Sequence, residues 1–210
     1  RVDLGGRRII KKIFFKPKDG IRDRSPSRGL GDVYKRQGID ATDLLSGGSI
    51  THLKEFFSHS DNSKHSFNSM VVWAPKKLIK QLPHKFFITY IEVNFENNGL
   101  KKIIWKKFLF DRQLTKHKID ILFIPGSFFI GKFRPYVQIA RNLLPFEKIL
   151  VRQYRFSLQY FRLRALKVLM LKSYRKSDGL IMLTKIQKKI MDQYIQNFKG
   201  KIKIIPHGIS

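Results

Sequence analysis

The sequence predicts a three-layer α/β domain built on a mostly parallel sheet. From Tyr154 onward, an amphipathic helix alternates with short apolar runs, and glycine or aspartate marks the joints. The run at 180–183 lacks polar alternation, which is typical of a strand that is covered on both faces. Two such strands joined by a helix favour parallel neighbours with a right-handed crossover.

The first part of the domain is predicted to alternate strands and helices from Gly38 onward. A strand ends near Ala41, and a glycine-containing loop leads into a helix on which Ile50, Leu53 and Phe57 share one side. Apolar runs predict further strands at 67–73, 85–93, 118–124 and 136–140. Helices are expected at 75–82 and 100–116, the second with Leu100, Ile104 and Phe108 along one side.

The second part is predicted to end in a strand–helix–strand unit. A long basic helix is expected at 155–176, because large apolar residues recur there at three- or four-residue spacing: Phe156, Tyr160, Leu163, Leu166, Met170 and Tyr174. Strands at 180–183 and 202–205 are expected to flank another helix at 185–197.

Residues 1–37 are predicted to lie outside the domain. Residues 27–37, SRGLGDVYKRQ, match one translation of a transposase-type sequencing adapter ending in GATGTGTATAAGAGACAG, and 21–24 match its end in another frame. A natural linker rich in arginine and glycine is the alternative. We therefore expect 1–37 to be a non-native, disordered leader and 38–210 to form the domain.

Composition narrows the class of protein. The 210 residues suffice for one domain with a sizeable core, and a hydrophobic content of 42% fits a globular protein. No apolar run approaches the roughly 20 residues that span a bilayer, and no signal peptide is evident. These residues include no cysteine, which excludes disulfides and thiolate metal sites and is compatible with a cytosolic protein.

The loop after the first strand is a candidate anion site. Gly47, Gly48 and Ser49 precede a helix, where small residues let backbone N–H groups approach a phosphate and the helix dipole favours negative charge. An ordinary glycine turn is the structural alternative. His52 follows on the same helix, where it either borders the cleft or lies on the helix surface.

The turn after the strand at 136–140 is a second candidate. Asn142 lies at the carboxyl end of that strand, where ligands bind in open parallel sheets. Its amide can hydrogen-bond a sugar hydroxyl or a phosphate, or else its own turn.

Other catalytic patterns are missing from the sequence. The six histidines form no HxH, HExxH or Cys/His cluster, so no metal site is predicted. No nucleophile triad or paired-carboxylate signature is recognisable, so no catalytic residue is assigned.

The order of these motifs resembles a known family. A basic helix, KSDGLIMLT, a second helix and KIKIIPHGIS are together similar to the end of the N-terminal domain of GT-B glycosyltransferases of the family-4-like group. GGSITHL resembles that family's first loop, RNLLPF resembles a later turn, and DILFIPG resembles the strand whose loop faces the acceptor. The resemblance implies a Rossmann-like domain, the N-terminal half of a GT-B fold, without its C-terminal donor domain.

The resemblance also implies a function. Such a hexosyltransferase-type enzyme moves a sugar, with retention, from a nucleotide-diphospho-sugar to a glycan or lipid-linked acceptor in surface polysaccharide biosynthesis. It uses no protein nucleophile, cofactor or metal, and a paired-glutamate motif and cationic groups lie in the domain that this chain lacks. We therefore expect this fragment alone to be inactive.

The family's motifs assign roles to residues of this chain. Gly47, Gly48, Ser49 and Asn142 would contact the donor phosphates or substrate. His52, Gly126 and Ser127 would border the cleft, and Pro206, His207 and Gly208 would form the interdomain hinge.

The charge of the chain bears on its partners. Of the formal +28, residues 1–37 supply 12 basic and 4 acidic groups, or +8, which leaves +20 for the domain. No nucleic-acid-binding module or clustered basic stripe is recognisable, so no nucleic-acid partner is expected for the transferase. The helix at 155–176 and the cations at 101–107 favour contact with an anionic membrane, unless they are merely solvated.

These observations predict a cytoplasmic protein, in peripheral contact with the inner face of the membrane. The alternative function is a non-catalytic basic α/β module that binds RNA or an anionic membrane surface.

Overall fold

A parallel sheet forms the centre of the molecule. The computed structural model describes residues 36–44, 47–60, 67–95, 98–126, 128–147, 151, 153–155 and 157–206. Within these residues the strands are β1 (Arg36–Asp40), β2 (Ser69–Ala74), β3 (Ile88–Glu92), β4 (Ile121–Ile124), β5 (Tyr136–Ile139), β6 (Gly179–Met182) and β7 (Lys201–Ile204). Their spatial order is β3-β2-β1-β4-β5-β6-β7, and each neighbouring pair is parallel. The predicted Rossmann-like α/β fold is confirmed.

Helices cover the sheet. They are α1 (Gly48–Ser58), α2 (Lys76–Ile79), α3 (Gly99–Ile104), a π-helical turn (Trp105–Leu109), α4 (Phe110–Lys116), a 3-10 turn (Leu144–Phe146), α5 (Leu158–Lys176) and α6 (Lys185–Asp192). None of the helices in the described part of the chain has the length and apolar character needed to cross a membrane.

The two faces of the sheet bury different helices, because successive strand residues point to opposite sides. On one face, Leu53 and Phe57 of α1 pack with Val72 of β2. On the other, Phe110 and Leu114 of α4 pack with Val71 and Trp73. Met170 and Tyr174 of α5 pack with Leu180 and Met182 in a third cluster. The strands are therefore apolar on both faces, as their lack of alternation predicts.

Several boundaries differ from the predictions. Strand β1 begins at Arg36, whereas Arg36 and Gln37 were predicted to belong to the leader. These two residues pair with β2 and β4. The pairing uses backbone groups, which any sequence supplies. Helix α5 begins at Leu158, because the Ser157 hydroxyl caps it by accepting from the N–H of Tyr160. Helix α6 ends at Asp192, five residues before the predicted end.

The helical segment at 99–116 is not a uniform α-helix. Lys102, Lys106, Phe110 and Leu114 recur every fourth residue and lie on the inner side, whereas an α-helix turns in 3.6 residues. The wider π-helical turn keeps the later members of this series facing the sheet. The predicted apolar side with Leu100, Ile104 and Phe108 exists, but these three side chains are exposed to solvent.

A buried serine links three segments in the α5 layer. The Ser173 hydroxyl accepts a hydrogen bond from the backbone N–H of Phe129 at 2.8 Å and donates one to Oε1 of Gln138 at 2.7 Å. Both Ser173 and Gln138 have no exposed surface. Removing the hydroxyl would deprive a buried N–H and a buried amide of this partner, and buried polar groups are costly to desolvate without compensation.

We expect Ser173→Ala to lower the free energy of unfolding by about 1–3 kcal/mol. Chemical denaturation measures the change. Ser58→Ala, at the exposed end of α1, is the matched control and should change stability by no more than about 0.5 kcal/mol. Equal stabilities for the two variants would contradict the role of the Ser173 hydroxyl.

Candidate functional site

The carboxyl ends of the strands meet at one rim of the sheet. Strand β1 connects towards β2, whereas its neighbour β4 connects towards β5, so the chain leaves these two strands in opposite directions. In doubly wound sheets ligands bind in a crevice at such a divergence, so we take the rim at β1 and β4 as the candidate crevice. The loop after β1 contains Gly47 and Gly48, and the loop after β4 contains Gly126.

The glycine turn exposes backbone at the start of α1. Gly47 has φ 71°, a conformation that other residues adopt only with strain, and it caps the helix without any side chain. A Cβ atom on either Gly47 or Gly48 would meet no heavy atom of the described residues within 4 Å. The described residues therefore leave the start of α1 uncovered at these glycines, and the helix dipole favours an anion there.

An arginine connects this turn to the segment after β5. The Arg141 guanidinium donates a hydrogen bond from Nη2 to the carbonyl oxygen of Gly48 at 3.3 Å. Partial burial lowers the pKa of Arg141, although a guanidinium remains charged under all ordinary conditions. The contact places a cation beside the glycine turn and brings together the two loops that carry Gly48 and Asn142.

Asn142 has a structural task within its own loop. Its Oδ1 atom accepts a hydrogen bond from the N–H of Leu144 at 3.1 Å, at the start of the 3-10 turn. This is the alternative in which the asparagine bonds its own turn. The side chain is exposed at the rim, and a role in substrate binding remains a prediction.

A buried ion-pair cluster joins the end of β1 and its loop to the helical segment at 99–116. Lys106 has no exposed surface, and its Nζ atom is 2.8 Å from Oδ2 of Asp40, 2.6 Å from Oδ2 of Asp43 and 3.3 Å from the carbonyl oxygen of Phe128. The ammonium group donates hydrogen bonds to Oδ2 of Asp43 and to the carbonyl oxygen of Phe128, and the contact with Asp40 is an ion pair. Lys102 adds a second cation, 3.0 Å from Oδ1 of Asp43. The cluster thus contains two carboxylates and two ammonium groups, and its formal charge is zero.

The cluster keeps Asp43 and Lys106 ionised. Burial by itself would raise the pKa of Asp43, but the cations of Lys106 and Lys102 outweigh it and lower this pKa to about 2. Burial by itself would lower the pKa of Lys106, but Asp40 and Asp43 raise it above its ordinary value. A carboxylate with so low a pKa is a weak base, so the cluster is suited to fixing structure and not to proton transfer.

Gly126 permits the close approach of β4's loop to this cluster. A Cβ atom on Gly126 would lie 3.2 Å from Cβ of Asp43, a contact tighter than is usual. Gly126 is buried and lies against Asp43 of the ion-pair cluster, and its place beside the cleft stays a prediction.

The remaining predicted site residues are less informative. Ser49 and His52 are half-buried on α1, and Pro206 is exposed after β7. Ser127, His207 and Gly208 lie outside the described residues.

No sequence motif pointed to the roles of Arg141, Lys106, Asp40 and Asp43 in this site. Arg141 could have been predicted as a site residue, because it is a cation that directly precedes Asn142 at the end of a strand. Lys106 gave no such signal, because its neighbours Lys101, Lys102 and Lys107 make it look like part of a solvated basic face. Across the described residues, no group of three or more metal-ligating side chains occurs.

A cavity of about 300 Å³ lies elsewhere, at the opposite edge of the sheet, where β5 begins. Its lining includes Arg134, Tyr136 and Lys176. Arg134 is paired there with Asp178 at 3.3 Å, and the cavity does not reach the residues of the rim.

Comparison with known proteins does not assign the chain to a family: neither a family model nor a curated protein matches it. Functional inference therefore depends on the fold and on the geometry of the rim.

We expect Lys106→Met to lower the free energy of unfolding by about 3–5 kcal/mol, because it leaves Asp40 and Asp43 buried without their shared cation. Thermal or chemical denaturation measures the loss. Lys107→Met changes the exposed neighbour and should be nearly neutral. A similar stability for both variants would mean that Lys106 is dispensable.

The pH dependence of stability offers a second test of the cluster. The folded-state pKa of Asp43 is depressed from 3.8 to about 2, so its stabilising contribution is complete above about pH 4 and is lost as the pH falls through about 2. We expect Asp43→Asn to flatten the dependence of the unfolding free energy on pH within this window. Parallel curves for the variant and the original chain would contradict the assignment.

Proposed function

We propose that this chain is the N-terminal, acceptor-side half of a retaining GT-B glycosyltransferase. The intact enzyme would transfer a sugar from a nucleotide-diphospho-sugar to a glycan or lipid-linked acceptor in surface polysaccharide biosynthesis. The observation that carries the proposal is the hydrogen bond between Arg141 and the carbonyl oxygen of Gly48, because it gathers a glycine turn, a helix N-terminus and a cation at the crevice.

The electrostatics of the crevice support binding of an anion. Asp40 and Asp43 precede the glycine turn by only a few residues in the chain, and as unpaired carboxylates they would repel a diphosphate bound there. Lys102 and Lys106 neutralise them. The sign of the local potential is then set by Arg141 and by the positive end of α1.

Such a site suits transfer without a protein nucleophile. The leaving diphosphate carries the charge that develops in the reaction, and fixed N–H groups and cations stabilise it without reorganisation. Holding the acceptor beside the donor lowers the barrier further. The sugar itself would be held largely by a second Rossmann-like half across the crevice.

We expect this chain alone to show no sugar transfer, and the chain extended by its continuing coding sequence to be active. Release of nucleoside diphosphate from a panel of nucleotide-sugars, with mass spectrometry of the product, measures transfer. Transfer by residues 38–210 alone would contradict the proposal that a second Rossmann-like half is required for activity. A natural stop codon directly after Ser210 would disfavour the transferase altogether.

We expect Gly48→Ala to lower kcat/KM of the extended enzyme at least about tenfold, because the added methyl group occupies space needed for close approach of a phosphate to the backbone. The added methyl group meets no atom of the described residues within 4 Å, and the substitution should leave stability unchanged. Gly99→Ala, at the start of α3, also adds a methyl group in open space and is the matched control. Unchanged kinetics for Gly48→Ala would remove the glycine turn from the donor site.

A further inference from the structure

Two helical segments on one face of the sheet expose large apolar side chains. On α3 and the π-helical turn these are Leu100, Ile104, Phe108 and Leu109, and on α5 they are Leu158, Phe161 and Val168. Leu158 is 90% exposed, Leu100 67% and Phe161 66%. Single exposed apolar residues are ordinary, but contiguous sets of this size mark a surface that binds something.

The two segments belong to the same helical layer. Ile103 of α3 and Leu166 of α5 both pack against the cluster that contains Phe128 and Met170. The Nζ atom of Lys106 lies 5.3 Å from the centre of the Phe128 ring, which ties the π-helical turn to the same cluster. The outer sides of both segments therefore belong to one side of the molecule.

The exposed residues lie opposite the buried ones on each helix. On α5, Leu163 and Met170 are buried, whereas Phe161 and Val168, also seven residues apart, are exposed. Seven residues are close to two helical turns, so each pair forms a continuous side. On α3 and the π-helical turn, the buried side is held down by the ion pairs of Lys102 and Lys106. Because the opposite side of each segment is held in the core, the exposed apolar side chains point towards the solvent.

Within the two segments, the apolar side chains are interspersed with cations and not with acids. Neither 98–109 nor 157–176 contains an aspartate or glutamate. The exposed cations of the two segments are Lys101, Lys107, Arg162, Arg164, Lys172, Arg175 and Lys176. The Lys107 ammonium lies 4.9 Å from the centre of the Phe108 ring, so apolar and cationic groups are interleaved at short range.

We infer that this surface, formed by α3, the π-helical turn and α5, binds in the plane of an anionic lipid bilayer. The apolar side chains would enter the boundary between headgroups and acyl chains, and the cations would contact lipid phosphates. RNA offers phosphates but no apolar phase for Leu100, Ile104 and Phe161. A second copy of the chain would oppose cations with cations, which electrostatic complementarity disfavours.

Sedimentation of the full chain with vesicles tests this inference. We expect binding to vesicles of phosphatidylcholine mixed with phosphatidylglycerol, weak binding to phosphatidylcholine alone, and weakening by salt. Lys107→Gln combined with Arg164→Gln should reduce the partition coefficient about 25-fold, or about fivefold for each charge. Phe108→Ser combined with Phe161→Ser should reduce it by a similar factor or more.

Phe86→Ser is the matched control, because Phe86 is 92% exposed but precedes β3, outside the two segments. It should bind vesicles as the original chain does. Circular dichroism of every variant checks that these surface substitutions leave the fold intact.

Three outcomes would overturn the inference. Equal binding to both kinds of vesicle would exclude recognition of anionic lipid. Loss of binding in the cation variant alone, with the serine variant unaffected, would indicate a purely electrostatic surface such as an RNA site. A dimer in the absence of vesicles that the serine variant dissociates would assign the surface to self-association. The measurement uses no nucleotide-sugar, so it can fail or succeed independently of the proposed transferase activity.

Discussion

Lys106 is a full positive charge with no exposed surface, and a buried ammonium group persists only where carboxylates and hydrogen-bond acceptors surround it. Here the acceptors come from the end of β1, from the loop after it and from the backbone of Phe128. The neutralisation of Lys106 therefore fixes three segments relative to one another: the end of β1 with its loop, the helical segment that carries Lys106, and the backbone at Phe128. Two of these segments, the end of β1 with its loop and the loop after β4, lie at the rim of the sheet.

The same pairing explains the irregular helix above the crevice. The side chains that must face inward recur every fourth residue from Lys102 to Leu114, and a π-helical turn accommodates this spacing. A regular α-helix would rotate the later members away from the sheet. The cost of the irregular turn is offset by the ion pairs and by the aromatic contact of Trp105 with Phe110, whose ring centres are 4.5 Å apart.

This arrangement gives one helical segment two different sides. Its inner side neutralises the acids that precede the glycine turn, which leaves Arg141 and the start of α1 to set the charge of the crevice. Its outer side carries Leu100, Ile104 and Phe108 among lysines. In the proposed arrangement, a bilayer bound on the outer side would hold the crevice close to the membrane surface, where a lipid-linked acceptor would be presented.

Local patterns in the sequence were sufficient for most of the fold. The apolar runs of β4 and β6 and the glycine and proline breaks act within a few residues, so their signals are visible in the chain itself. The cap at Ser157 is equally local, but the predicted helix begins at 155, before this residue. Strand direction followed because a helix between two strands leaves little choice but a parallel crossover. The rim that holds Gly48 and Asn142 could be placed from this rule alone.

The contacts between residues far apart in sequence could not be predicted from the chain alone. Lys106 meets Asp40 and Asp43 across more than sixty positions, Arg141 meets Gly48 across 93, and neither pairing leaves a periodic trace. Leu100, Ile104 and Phe108 lie four residues apart, and this spacing is compatible with a helix side that faces either the sheet or the solvent. In the structure the other series, with Lys102 and Lys106, is the side that faces the sheet. The sequence by itself determined the helices and strands and their order, because these depend on local backbone geometry and on the periodicity of apolar and polar residues. Only the tertiary structure decided which side of each helix was buried and which charges were paired, because burial and pairing depend on what the rest of the chain brings into contact.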